Sequence, residues 1–150
     1  MAILNDQLRE QLRARFADTL KGDVELMLYV RPGTGRLILP AGLGCATCDD
    51  ARELIGEVRD AAPERISLEV VDLAATRVEG VEEIPALDVA PKGQTARIRF
   101  HGLPAGFEFA TVVDAVERAS SGELGLRPET LAQLARLTEP LEVMVFATPT

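Results

Sequence analysis

Gly42-Leu-Gly-Cys45-Ala-Thr-Cys48-Asp-Asp-Ala51-Arg-Glu-Leu54-Ile55-Gly-Glu-Val58 is the stretch whose reading settles the rest of the chain. It holds both cysteines of the sequence. After Cys48, apolar residues return at steps of three and four: Ala51, Leu54, Ile55 and Val58. That spacing predicts an amphipathic helix with this face turned inward, running to about Asp60 and stopping before Pro63. Cys48 falls on the inward face, one turn before Ala51. Cys45 falls at the helix start, where unpaired N–H groups and the positive end of the dipole favour a thiolate. One reachable thiol and one sheltered thiol, a single turn apart, are what dithiol–disulfide exchange requires.

Other chemistries fit the pair less well. Zinc takes four ligands, and the chain offers two cysteines and one histidine, His101. A zinc site would need carboxylates or a second subunit, so no metal residue is assigned. A purely structural disulfide around so short a loop would constrain the unfolded chain very little. Two inert buried cysteines remain the plain alternative.

A length of 150 residues, 47% of them hydrophobic and 27% charged, is one ordinary globular domain. The net charge of −8 argues against nucleic acid or an anionic membrane as the main partner. No apolar run approaches the roughly 20 residues that span a bilayer. The opening Met1-Ala-Ile-Leu-Asn-Asp6 turns polar too soon for a secretory signal. The expected location is a reducing cytoplasm, where a lone cysteine pair is more often catalytic than structural.

Outward from the cysteines, the chain alternates helices and strands. Asn5 can cap a first helix whose Leu8, Leu12, Phe16 and Leu20 form a stripe, with Gly22 ending it. Val24 to Val30 reads as a strand. Arg31 to Gly35 reads as a turn, and Arg36 to Pro40 as a short second strand. Ile66 to Leu73 is β-branched and apolar, which predicts a central strand, whereas Ala74 to Glu83 has no clear type. Ala86–Ala90 and Ala96–His101, joined by a Pro91–Gly93 turn, predict a hairpin. Gly102-Leu-Pro-Ala-Gly106 then leads to a helix with Phe109, Val112, Val113 and Val116 on one face. The order implies an α/β domain: a mixed four-stranded sheet flanked by helices, its joining βαβ unit a right-handed crossover. The cysteines then lie beyond the carboxyl end of a strand, where open α/β sheets place their chemistry.

The last thirty positions look like a second beginning. Residues 120–125 read as a linker, and Pro128 starts a helix carrying Leu131, Leu134 and Leu137. Leu141-Glu-Val-Met-Val-Phe-Ala147 then matches Val24-Glu-Leu-Met-Leu-Tyr-Val30 in pattern at every position, which predicts an internal repeat. The alternative is a final strand completing a single domain.

These features resemble the N-terminal unit of the glutaredoxin-like protein disulfide oxidoreductases, which are built from two thioredoxin-fold units. Four motifs carry the resemblance, in order along the chain. The first is a strand before a CxxC helix, with Cys45 and Cys48. Ile84-Pro85-Ala86 is similar to the segment holding the fold's cis-proline. Phe100-His-Gly-Leu-Pro-Ala-Gly-Phe-Glu-Phe109 is close to the family's link between last strand and last helix. Val143 to Thr150 is similar to the approach to a second CxxC. The chain departs from the family in three places: Arg31 to Gly44 is long, Leu73 to Ile84 is short enough to reduce a helix to a turn, and a second CxxC is missing. The resemblance implies a thioredoxin-like unit over residues 1–120. Over 121–150 it implies a linker, a helix and the first strand of an incomplete second unit.

The implied activity is thiol–disulfide exchange on protein disulfides, with Cys45 attacking, Cys48 resolving and their disulfide in place of any cofactor. The resemblance also implies that a cis Ile84–Pro85 bond presents Ile84 to an incoming peptide. Asp49 and Asp50 should oppose the thiolate, and Thr47 could either bond a sulfur or cap the helix. Glu25 is the possible proton acceptor, Asp72 reads as a solvated strand end, His101 as a surface histidine, and Phe107 and Phe109 as core. The expected partners are protein disulfides and a flavoprotein of the thioredoxin-reductase kind, with a possible homodimer through the 141–147 strand. Two other functions fit the same residues: an electron relay between a flavin reductase and a peroxidase, and a non-catalytic adaptor.

Overall fold

Val24-Glu-Leu-Met-Leu-Tyr-Val30 places every second side chain on one face, and that face is wholly buried: Val24, Leu26, Leu28 and Val30 are each 0% exposed. A strand this apolar needs neighbours on both edges, and it has them. The computed structural model describes residues 3–31 and 44–146. It contains α1 (Asp6–Thr19), β1 (Val24–Val30), α2 (Cys48–Ala61), β2 (Ile66–Asp72), β3 (Ala86–Pro91), β4 (Ile98–His101), α3 (Phe107–Ser121) and α4 (Pro128–Leu134). The sheet order is β2-β1-β3-β4. β1 pairs with β2 in parallel, Val24 opposite Ile66, and with β3 antiparallel, Tyr29 opposite Ala86. β3 and β4 form the expected hairpin, with Ala86 opposite His101.

The buried face of β1 meets Leu87 and Val89 of β3 and the apolar stripes of three helices in one core. From α2 come Cys48, Ala51, Leu54, Ile55 and Val58; from α3, Val112, Val113, Ala115 and Val116; from α1, Leu12 and Phe16. The Asn5 side chain accepts the Leu8 N–H at 2.8 Å and starts α1 as its sequence suggests. Its end differs: Leu20 is the cap, and Gly22 serves a close approach instead. A Cβ at Gly22 would stand 2.8 Å from the Ser120 carbonyl oxygen. There the Ser120 hydroxyl accepts the Lys21 and Gly22 N–H groups, both at 2.9 Å, and donates to the Gly22 carbonyl at 2.7 Å.

Several expectations need correction. β2 is an edge strand, not a central one, and Val70 is 43% exposed on it. Leu8 points outward from α1, and Phe107, the first residue of α3, lies in solvent rather than in the core, whereas Phe109 packs against it. α4 forms at Pro128 but buries no side chain. Residues 141–146 form no strand, because a strand exists only by pairing and no neighbour is paired with them. Between β2 and β3 the chain makes only turns and bends, as its shortness implied. The proposed turn and strand at 31–40 lie outside the described residues beyond Arg31, as does Ala147.

The opposite face of the sheet carries Tyr29, Asp88 and Arg99. Arg99 grips the Asp88 carboxylate with two N–H groups, at 2.6 and 2.8 Å, and lies 5.4 Å from the centroid of the Tyr29 ring. The Tyr29 hydroxyl donates to the same carboxylate at 3.1 Å. Burial pushes the Tyr29 phenol above its ordinary value of 10.0, and the Asp88 charge adds to the shift. The native state therefore holds this phenol protonated more firmly than the unfolded chain does. The stability this brings is complete below pH 10.0 and is lost as pH rises through the native pKa. Tyr29 is the sole tyrosine of a chain without tryptophan, so alkaline spectroscopic titration reads it alone. Phenolate should appear later in the native protein than in the urea-unfolded chain. Coincident curves would contradict the buried network.

Candidate functional site

β1 and β2 run parallel and α2 joins them, so α2 begins at the carboxyl end of both strands. Cys48 is its first residue and is 0% exposed, while Cys45 is half-buried at the edge of the same core. The two are joined as a disulfide with their Cα atoms 5.5 Å apart. The Ala51 N–H donates to the Thr47 carbonyl at 2.9 Å and opens the helix. Thr47 is the N-cap residue by position, yet its hydroxyl makes no capping hydrogen bond. Of its two expected roles, side-chain capping is absent. Asp49 and Asp50 stand exposed in the first turn. Their charges sit against the positive end of the helix, close in sequence to both sulfurs.

Register brings the second half of the site to the same sheet end. Ala86 lies opposite Tyr29 near the end of β1, so the residues before it project past that end. They are Ile84 and Pro85, joined by a cis peptide bond. Pro85 is buried, and its carbonyl accepts the Gly102 N–H at 2.8 Å, extending the β3–β4 pairing by one step. Ile84 packs against the core that also receives Cys45. Cys45, Thr47, Cys48, Asp49, Asp50, Ile84 and Pro85 therefore gather at one end of the sheet.

Of three other candidates one lies at the far end of the sheet, while Asp72 and His101 close their strands at the end that carries the site. Glu25 lies at the far end of β1, opposite Ala90, where its carboxylate accepts the Gly93 N–H at 3.4 Å. It cannot take a proton from a thiol at the other end. Asp72 closes β2 by accepting the Ala74 N–H at 2.8 Å. His101 is exposed and shares the Tyr29 face, away from α2. Among the described residues no group of three His, Cys, Asp or Glu is placed to hold a metal ion.

Sequence reading passed over Asp88 and Arg99. The signal was present: Ala86-Leu-Asp-Val-Ala90 puts a carboxylate in the middle of an apolar strand. A charge there needs a partner, and the hairpin register supplies Arg99 directly opposite.

No family model matches the sequence, and no curated protein matches it. Solved structures do. A protein disulfide oxidoreductase from Aeropyrum pernix superposes with a TM-score of 0.67 at 25% identity, over 91% of this chain and 56% of that one. The NTD_N/C domain of alkylhydroperoxide reductase AhpF from Enterococcus faecalis gives 0.68 at 20% identity, over 87% of this chain and 59% of that one. A cysteine-to-alanine mutant of AhpF from the same organism gives 0.69 at 21% identity, over 89% and 61%. The chain thus spans less than two thirds of each of these proteins, and it shares with them a thioredoxin-like fold. A disulfide-bonded Cys45–Cys48 pair at the head of α2 fits a CxxC redox site in that fold.

Proposed function

We propose that this chain is a thiol–disulfide oxidoreductase that passes two electrons from Cys45 and Cys48 to a protein disulfide. One observation carries the reading: a joined cysteine pair at a helix N-terminus, with Cys45 half-buried at the edge of the core and Cys48 sealed inside it. In the reduced form the Cys45 thiolate attacks one sulfur of the substrate disulfide, and the other substrate sulfur leaves as a thiolate. Cys48, losing its proton, then attacks Cys45 Sγ. The second substrate sulfur departs, and the Cys45–Cys48 bond reforms. Ile84, set beside Pro85, would pair with the substrate backbone. The oxidised pair would be recharged by a flavoprotein of the thioredoxin-reductase type, in a reducing cytoplasm.

Asp49 and Asp50 set the direction. Both carboxylates disfavour a thiolate beside them and so oppose the stabilisation that a helix start gives the Cys45 thiolate. A less stabilised thiolate makes a more reducing couple. Equilibration with glutathione buffers should give a potential nearer about −270 mV than about −120 mV, the values typical of strong reductants and strong oxidants of this chemistry. The double variant Asp49→Asn, Asp50→Asn should lower the thiol pKa by roughly half a unit or more and move the potential upward. A wild-type potential at the oxidant end would contradict the reductant assignment.

A further inference from the structure

The β2-to-β3 connection has to cross the carboxyl end of β1, since β1 lies between the two strands it joins. It does so in residues 73–85 without a helix, and it delivers Ile84 and Pro85 to the site. A stretch of turns and bends has little internal order of its own, so what anchors it matters. Arg99 supplies an anchor. Its Nε and Nη2 are occupied by Asp88, and its remaining arm, Nη1, donates to the Gly80 carbonyl at 2.6 Å. The guanidinium cannot drift, because the planar fork meets the carboxylate in two places and the Tyr29 ring lies against it. Asp88 is itself held, being 7% exposed and also bonded by the Tyr29 hydroxyl. Gly80 fits the contact from its side: its φ of +76° is a conformation that side chains resist.

We propose that Arg99 is a positioning residue for substrate, fixing the Gly80–Ile84 segment so that Ile84 and Pro85 are presented at the sheet end that carries Cys45. The inference rests on the oxidoreductase reading, but the tether itself does not. Asp88, Arg99 and Tyr29 lie on the face away from α2 and touch neither sulfur's helix. Losing the tether should therefore loosen substrate capture and leave thiol chemistry alone.

The test uses Arg99→Gln, together with Arg99→Lys, which keeps a cation against Asp88 should the first variant fold poorly. Cleavage of the native protein by a glutamyl endopeptidase after Glu82 or Glu83 should accelerate about tenfold or more, in keeping with loss of a charge-assisted hydrogen bond that holds this stretch. KM for a disulfide-bonded peptide should rise several-fold at unchanged kcat. The rate with a small disulfide such as hydroxyethyl disulfide should not move, nor should the alkylation rate of reduced Cys45. Cleavage there that stays at the wild-type rate in both variants overturns the tether. An equal loss on peptide and small disulfide overturns the positioning role. A wild-type chain that reduces neither compound instead overturns the oxidoreductase reading and the substrate role with it, while the cleavage result still judges the tether.

Discussion

Replacing Cys45 by serine should abolish disulfide reduction altogether, leaving only the uncatalysed background of the assay. A hydroxyl does not form the covalent intermediate, and the chain has no other cysteine to stand in except Cys48, which is 0% exposed. Cys48→Ala should behave differently in kind. Cys45 can still attack, so a mixed disulfide with substrate should accumulate and survive until an external thiol releases it. Alanine is the better replacement there, since a serine hydroxyl sealed in the core would cost about 1–3 kcal/mol if left unpaired. Neither change should unfold the protein, because opening a ring that joins positions three apart frees little chain entropy. The measurement is insulin-disulfide turnover alongside intact-mass detection of the adduct. Residual turnover in Cys45→Ser, or a trapped adduct on Cys48 in that variant, would reverse the assigned roles.

What could be read from the sequence was whatever is encoded locally. Val24–Val30 and α2 follow from periodicity, and the hairpin follows from Pro91-Lys-Gly93 between two apolar runs. The site was legible for the same reason, since Cys45 and Cys48 share one helix start. What escaped depends on partners distant in the chain. Ile66–Asp72 is apolar enough for a central strand, but sheet order is decided by what packs against it, and β1 took the middle. The stripe through Leu8 repeats every four residues and drifts by about 40° per step on a helix of 3.6 residues per turn, leaving Leu8 exposed while Leu12 and Phe16 are buried. Asp88 was hidden by its neighbours' hydrophobicity, although an isolated carboxylate among alanine, leucine and valine is itself a sign of a buried pair. The cis bond at Ile84–Pro85, which no local pattern indicates, came from family resemblance, and it is present.

Two phenylalanines test the division between core and tail most sharply. Phe16 is 1% exposed within the main cluster and Phe146 is 91% exposed in the run that resembles β1. Phe16→Ala should cost about 3–5 kcal/mol, the loss of transfer energy plus the cavity left where α1 joins the core. Against a total near 5–15 kcal/mol, that would leave a marginal domain. Phe146→Ala, the same atoms removed from solvent, should shift stability by no more than about 0.5 kcal/mol. Urea unfolding of the two variants at several protein concentrations separates the possibilities. A large cost at Phe146 that grows with concentration would mean that the tail is buried between copies. A large cost independent of concentration would mean that it docks on its own chain. The expected result is neither, since an apolar run with the pattern of β1 but no paired neighbour contributes no burial of its own.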